Sequence, residues 1–268
     1  MSPAGVSVIV PVKDGERYLE ELLAGLSAQG EDLEILVIDS GSRDRSPEIA
    51  RAAGVALLEI PAGEFGHGRT RNLGAERTTG ELICFLTQDA TPLPGWLAAY
   101  REAFALADRV GAAFGPHLAR PDTSPMIARE LAEFFAGFGA EPAVQRAGDP
   151  TFLSNVNACY ARRCWAELRF RELPYSEDQA FGADLLAAGW AKVYHPGAAV
   201  LHAHDYGASA FMRRYFDEYR GLRESIGHVE PIGLRSGARE VRRQVGSDIR
   251  WMVERGYAPA DRARWGGR

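Results

Sequence analysis

The strongest constraint on the fold is a repeated alternation of short apolar runs with amphipathic helical runs. Val6 to Val12 (VSVIVPV) is dominated by valine and isoleucine, the composition of a strand covered on both faces. It leads into Asp14, placed to cap a helix whose Tyr18, Leu19, Leu22, Leu23 and Leu26 recur at helical spacing. Leu33 to Ile38 repeats the strand pattern, and Ser46-Pro47-Glu48 opens a second helix that runs to Gly54. Further strand runs lie at Val55 to Ile60, Glu81 to Leu86 and Val110 to Phe114, separated by the segment Gly68 to Thr78 and a helical run from Trp96 to Leu106. Parallel strands need long crossovers, so this alternation predicts an α/β fold with a mostly parallel sheet and helices on both faces.

After Pro121 the pattern loosens. Pro125 to Phe138 reads as a helix, Gly139 to Pro150 as a loop, and Asn157 to Arg162 as an antiparallel strand that makes the sheet mixed. Asp178 to Ala188, Tyr206 to Ile226 and Gly237 to Arg255 read as helices. The expected organisation is one domain over 1–205, with halves 1–120 and 121–205, and a helical extension over 206–268.

Charge supports that division. The chain carries a net −5, yet 1–205 holds 18 basic against 28 acidic side chains, while 206–268 holds 13 against 8. A basic extension suits an anionic membrane surface, packing against a second copy, or a solvated face. An acidic body without aromatics interleaved among the arginines argues against nucleic acid. With 46% hydrophobic and 25% charged residues, disorder and coiled coil are excluded. Cys84, Cys159 and Cys164 are an odd set without metal spacing, which suits a reducing compartment. The start lacks a basic run, Pro11 interrupts its apolar stretch, and no run reaches the roughly 20 apolar residues that span a bilayer. The expectation is a cytoplasmic protein, peripheral at the inner face of the membrane if the basic helices rest on it.

Open α/β sheets bind ligands beyond the carboxyl ends of their strands, where strand order reverses. The residues just past the strands of this chain are polar: Lys13-Asp14, Asp39-Ser40-Gly41-Ser42 and Gln88-Asp89. There is no G-x-G-x-x-G in the first turn and no P-loop, which excludes common dinucleotide and P-loop chemistry. Asp39 could accept a hydrogen bond from a pyrimidine N3–H, selecting uracil or thymine over cytosine, or simply stabilise its own turn. Arg71-Asn72, opening a helix after a glycine-rich turn, offers a guanidinium to phosphate. Asp89 is a candidate oxygen ligand for a divalent ion that shares the substrate's phosphates. Asp178, early in a helix, is a candidate general base. His202 and His204, two apart in a strand-like segment, project to one face, where they could offer a metal ligand and a neighbour that orients it or touches phosphate, or else serve as structural histidines.

Taken in order, VSVIVPVKDGERYLEELLAGL, VIDSGSRDRS, GHGRTRNLGAERTTGELICFLTQDA, SEDQAF and PGAAVLHAH resemble family 2 inverting glycosyltransferases of the GT-A fold over about residues 6–226. The QDA variant of the metal motif, the DSGS turn and the paired histidines look most like bacterial rhamnosyltransferases. The resemblance implies a Rossmann-like, mostly parallel sheet and transfer of a sugar, rhamnose in that subfamily, from a dTDP- or UDP-linked donor to a hydroxyl of a glycan or lipid-linked acceptor. Pro11, Val12, Asp39, Ser40, Gly41, Arg71, Gln88 and Asp89 would line the donor site. Asp178 would be the base, Asp89 and His202 would hold Mn²⁺ or Mg²⁺, and His204 would stand beside them. Two positions depart from the family pattern: Ser40 replaces an acid of D-D-G-S, and Gln88 replaces the first acid of the metal motif. Metal independence and a non-catalytic sugar-nucleotide-binding module are therefore alternatives. A nucleotidyltransferase is disfavoured, because its lysine-bearing glycine loop is missing from the first turn. Acceptor contacts are expected from Glu177 and from the region 121–171, where Glu133, Phe134, Phe135, Phe138, Asn155, Asn157 and Trp165 offer apolar faces and amides, or else belong to the core.

Overall fold

A computed structural model describes residues 5–30, 32–202, 208–229 and 233–260. Eight strands form the main sheet: β1 (Val6–Val12), β2 (Glu34–Asp39), β3 (Ala56–Glu59), β4 (Leu82–Leu86), β6 (Val110–Phe114), β8 (Ala143–Gln145), β9 (Asn157–Ala161) and β10 (Ala191–Tyr194), in the order β3-β2-β1-β4-β9-β6-β10-β8. A small second sheet has the order β5 (Ala90–Pro92), β11 (Val200–His202), β7 (His117–Ala119). The helices are α1 (Glu16–Ser27), α2 (Ser46–Ala52), α3 (His67–Glu76), α4 (Trp96–Ala105), α5 (Pro125–Ala136), α6 (Arg162–Leu168), α7 (Glu177–Ala187), α8 (Ala208–Ile226) and α9 (Leu234–Glu254).

The central strands read as unbroken apolar runs because both faces are covered. Val6, Val8, Val10 and Val12 of β1 join one core with Leu19, Leu22 and Leu26 of α1. Ile9 points the other way, into a second core with Ile83, Phe85, Tyr160 and Phe181. Each fully buried side chain of this size contributes about 1.5–3 kcal/mol. Phe135 and Phe138 pack with Phe114 and Phe152 in that second core, which settles them as core residues; Phe134 is half exposed.

Parallel β1 is flanked by β2 on one side and β4 on the other, so strand order reverses there. The anticipated antiparallel strand is β9, which runs against both β4 and β6. Because it is reversed, its amino end lies at the edge where its neighbours have their carboxyl ends. The stretch expected as a loop over Gly139 to Pro150 contains β8, an edge strand antiparallel to β10.

Asp14 does not cap α1. Gly15 is the N-cap, and Asp14 takes a left-handed φ of 50° while its carboxylate accepts the Arg43 N–H. The free amides at the start of α1 donate instead to the α2 loop: Gly15 N–H to Ser46 Oγ at 2.8 Å and Glu16 N–H to Asp44 Oδ2 at 2.9 Å. The first two βα turns are thereby tied together.

The C-terminal helices are anchored to the body. Arg129 of α5 donates to Asp248 and Gln244 of α9, Met252 is fully buried, and Gly221 of α8 lies so close to Tyr175 and Ser176 that a side chain there would clash.

Candidate active site

The first part of the candidate site lies where β1 and β2 stop. Asp39 is buried at the end of β2. Its Oδ1 accepts the amides of Gly41 at 3.0 Å and Ser42 at 2.9 Å, a turn that Gly41 permits with φ 78°. Its buried Oδ2 has no hydrogen-bond partner among the described residues. One oxygen thus builds the turn, and the other is an acceptor whose desolvation a ligand N–H would offset. Ser40 Oγ donates to the Val12 carbonyl, and Lys13 Nζ caps the carbonyls of Ser40 and Gly41. Pro11 and Val12 pair with Ile38 and Asp39 across the strands.

Gln88 sits at the switch point between β1 and β4. Its Oε1 accepts the Lys13 N–H at 2.7 Å, and its Nε2 donates to the Lys13 carbonyl at 3.0 Å. The amide offers both a donor and an acceptor here, whereas an ionised carboxylate has no proton to give. The departure from an acid therefore has a structural use, as a latch between the first strand and the QDA loop.

Asp89 is the last residue before β5, whose Ala90 pairs with His202 of β11. This register brings Asp89 Oδ1 to 3.4 Å from His202 Nε2. Two neighbouring ligands about 2.1 Å from one hard cation lie about 3 Å apart, so the pair fits a shared ion. Among the described residues no group of three His, Cys, Asp or Glu side chains could hold one. The donor set fits a cation completed by phosphate oxygens rather than a closed protein cage. His117, which the motifs did not suggest, packs against His202 with ring centres 5.5 Å apart. His204 lies outside the described residues.

The third part is built on α7. Ser176, its N-cap, adopts φ 62°, and Glu177 and Asp178 come next. Asp178 Oδ2 accepts the Asn155 N–H at 2.9 Å and Oδ1 the Gln179 N–H at 2.8 Å. Burial, and then the neighbouring Glu177 charge, push the Asp178 carboxyl up to about 7. Glu177 is buried and shifts the other way. Burial opposes its charge, but Arg71, His67 and Asn155 outweigh that and hold its carboxyl below the ordinary value. Arg71 Nη1 stands 3.0 Å from Glu177 Oε1 and also donates to the His67 carbonyl.

Burial dominates the depression of the His67 pKa. Helix α3, which carries His67 and Arg71, can start so close to the chain at Phe170 and Arg171 because Gly68 has no Cβ; an added one would stand 2.1 Å from the Arg171 carbonyl.

Arg71, Glu177 and Asp178 therefore come together, as do Asp89 and His202, and Asp39 lies beside the Lys13–Gln88 latch. Asn157 and Trp165 are buried and spend their polar groups within the protein. Asn157 is fully buried, accepting from Trp96 and Tyr100 and donating to the Ala198 carbonyl. Trp165 is buried and donates to Asn72. Tyr160, whose hydroxyl donates to Asn155 Oδ1, carries no signal in the sequence because its strand reads simply as core.

A sheet with this switch point and polar turns matches the glycosyl transferase family 2 model over residues 7–167, more than half of the chain, and the chain belongs to that family. Among its relatives, the O-antigen chain rhamnosyltransferase RfbN of Salmonella typhimurium is 31% identical over 192 residues, an alignment covering 68% of this chain and 61% of RfbN. WbaN of Salmonella anatum, also an O-antigen chain rhamnosyltransferase, is 28% identical over 228 residues, covering 79% of this chain and 70% of that protein. The fold is the GT-A type. The mannosyltransferase PcManGT from Pyrobaculum calidifontis, solved with GDP-Man and Mn²⁺, superposes with a TM-score of 0.65 at 21% identity, over 97% of this chain and 78% of that one. TarS 1-349 from S. aureus, solved with UDP-GlcNAc, gives 0.64 at 18%, over 93% and 71%.

Proposed function

We propose that this chain is an inverting glycosyltransferase that moves a sugar, rhamnose by its likeness to RfbN and WbaN, from a dTDP- or UDP-linked donor to a hydroxyl of a glycan or lipid-linked acceptor. The observation that carries the reading is Asp178, held by two backbone amides and poised with a pKa of about 7, as a general base working near neutrality should be. Asp178 takes the acceptor's hydroxyl proton while that oxygen attacks the anomeric carbon from the side opposite the diphosphate. The bond to the diphosphate breaks, its electron pair leaves with the phosphate oxygen, and the configuration inverts.

The unpartnered Asp39 Oδ2 takes the base N3–H of uracil or thymine. Residues 1–120 form the donor half and 121–205 the acceptor half. Asp89 and His202 are the residues that would hold Mn²⁺ or Mg²⁺, whose chemistry there is neutralising charge on the diphosphate.

No helix among the described residues is long and apolar enough to cross a membrane. Exposed Met212, Phe216, Val241 and Val253 lie on the two helices of the basic extension, which supports contact with an anionic bilayer that carries the acceptor.

Asp178→Asn tests the reading. Turnover, measured as acceptor-dependent release of nucleoside diphosphate, falls about 100- to 10,000-fold, while donor binding by calorimetry stays close to wild type. Near-wild-type turnover refutes it. Gln88 in place of an acid favours a binding module as the second reading, and acceptor-dependent diphosphate release excludes that alternative.

A further inference from the structure

Asp178 is surrounded by buried groups that the sugar-transfer step does not itself use. Asn155 contacts both acids of the pair: its N–H donates to Asp178 Oδ2 at 2.9 Å and its Nδ2 to Glu177 Oε1 at 3.0 Å. Its own Oδ1 is fixed by the Tyr160 hydroxyl at 2.7 Å, so the amide cannot flip without breaking two bonds. The same Glu177 oxygen meets Arg71 Nη1 at 3.0 Å, and both side chains are about 5% exposed. A buried charge pair backed by a fixed amide is costly to place and is not needed for packing. Arg71, read from sequence as a phosphate ligand, turns Nη1 of its guanidinium to Glu177.

We propose that Arg71, Glu177 and Asn155 form a positioning unit for the Asp178 base, in which Arg71 keeps Glu177 anionic, Glu177 biases the proton of the acid pair onto Asp178, and Asn155 fixes both carboxylates. The inference rests on Asp178 being the base.

The unit explains why two adjacent acids differ. Two carboxylates that share a site split their proton affinities, and the one with the cation stays charged. The groups facing the pair are Arg71 and His67 from α3, Tyr160 from β9 and the α7 acids themselves. The Tyr160 phenol is held well above its ordinary pKa, first by burial and then by the Asp178 charge, so it stays neutral and acts through its hydrogen bond. From α8, Gly221 packs against Tyr175 and Ser176, the residues just before the pair. Arg71 does not open α3 as the sequence suggests but lies one turn into it, after Gly66 and His67, so the unit ties that helix to the base.

The test is a carbon-13 NMR titration of the carboxyl carbons in the whole chain, with the Asp178 signal assigned by Asp178→Asn. Glu177→Gln lowers the Asp178 midpoint from about 7 by about one unit, a tenfold change in proton affinity, and the acid limb of turnover moves with it. Arg71→Gln removes the cation and moves the midpoint upward. Residues that merely stabilise the fold would change the melting temperature and leave both midpoints in place. If one variant does not fold, the other decides, because their predicted shifts are opposite in sign. Unmoved midpoints in a folded variant, with Asp178→Asn inactive, overturn the positioning unit alone; full turnover of Asp178→Asn overturns the base assignment beneath it.

Discussion

Replacing Gln88 by glutamate would restore the acid that the metal motif of the family carries, and the structure predicts damage rather than repair. The amide donates to the Lys13 carbonyl at 3.0 Å and accepts from the Lys13 N–H at 2.7 Å. An ionised glutamate keeps the second bond, loses the first, and turns a negative oxygen toward the carbonyl it used to serve. Losing one partner of a protein hydrogen bond costs about 1–3 kcal/mol. The latch is partly solvated, which favours the lower end, about 1–2 kcal/mol. For a chain of this size each kcal/mol lowers the melting temperature by about 2–4 °C, so a drop of about 2–8 °C is expected at pH 8. The loss should shrink toward pH 4, because a protonated glutamate regains a donor for the Lys13 carbonyl. Differential scanning calorimetry at the two pH values reads both effects. A Gln88→Glu protein that melts with wild type at pH 8 would refute the latch and leave the missing acid without a structural reason.

Asp39→Asn presents an amide where the unpartnered Oδ2 stood, and binding of UDP or dTDP by calorimetry should weaken about 10- to 100-fold, as expected for about 1.5–3 kcal/mol from a hydrogen bond to a charged acceptor; unchanged binding removes Asp39 from the base pocket. The raised pKa of Asp178 means that turnover should rise with pH through about 7, because the base works only when ionised; a flat profile from pH 5.5 to 8.5 contradicts this. The stability term has the opposite direction. The folded state binds this proton more tightly than the unfolded chain, so Asp178 weakens the fold above pH 7 and the loss is recovered as pH falls from about 7 toward 4; Asp178→Asn should therefore stabilise the protein at pH 8 and lose that advantage near pH 4. Phosphatidylglycerol vesicles should sediment the protein, and Phe216→Glu with Met212→Glu should abolish this; equal sedimentation of the double variant removes the membrane contact.

The parallel βα units were legible because doubly covered strands such as VSVIVPV and LICFL leave unbroken apolar runs, and helix ends fell within a few residues where Pro47, Gly54 or Trp96 punctuate the chain. Of the four three-residue strands, β11 shows in the apolar run before its histidine, whereas β5, β7 and β8 are too short to show a period. In β10 the buried Lys192 interrupts the apolar pattern; its ammonium is held by Gln145 and the Phe152 carbonyl, partners no local reading supplies. The candidate site was legible in its turns, since Asp39 ends β2, Asp89 directly precedes β5 and Asp178 lies in the first turn of α7. Missing from the sequence was pairing across distance: Arg71 and Glu177 are 106 positions apart, and either alone reads as a ligand contact. Gln88 looked like a decayed metal ligand because its partner is main chain, which carries no residue-type signal.

The reversal of β9 bears on how this scaffold could be re-engineered. A strand running against its neighbours delivers its entrance, not its exit, to the working edge, so Asn155, two residues before β9 begins, belongs to the same rim as the turns after β1, β2 and β4. Chimeras that test the proposed acceptor half by exchanging it should therefore take their upstream junction between the end of β8 and Leu153, leaving 153–161 native. A graft that cuts between Asn155 and Tyr160 would separate the amide that holds Glu177 and Asp178 from the hydroxyl that holds the amide.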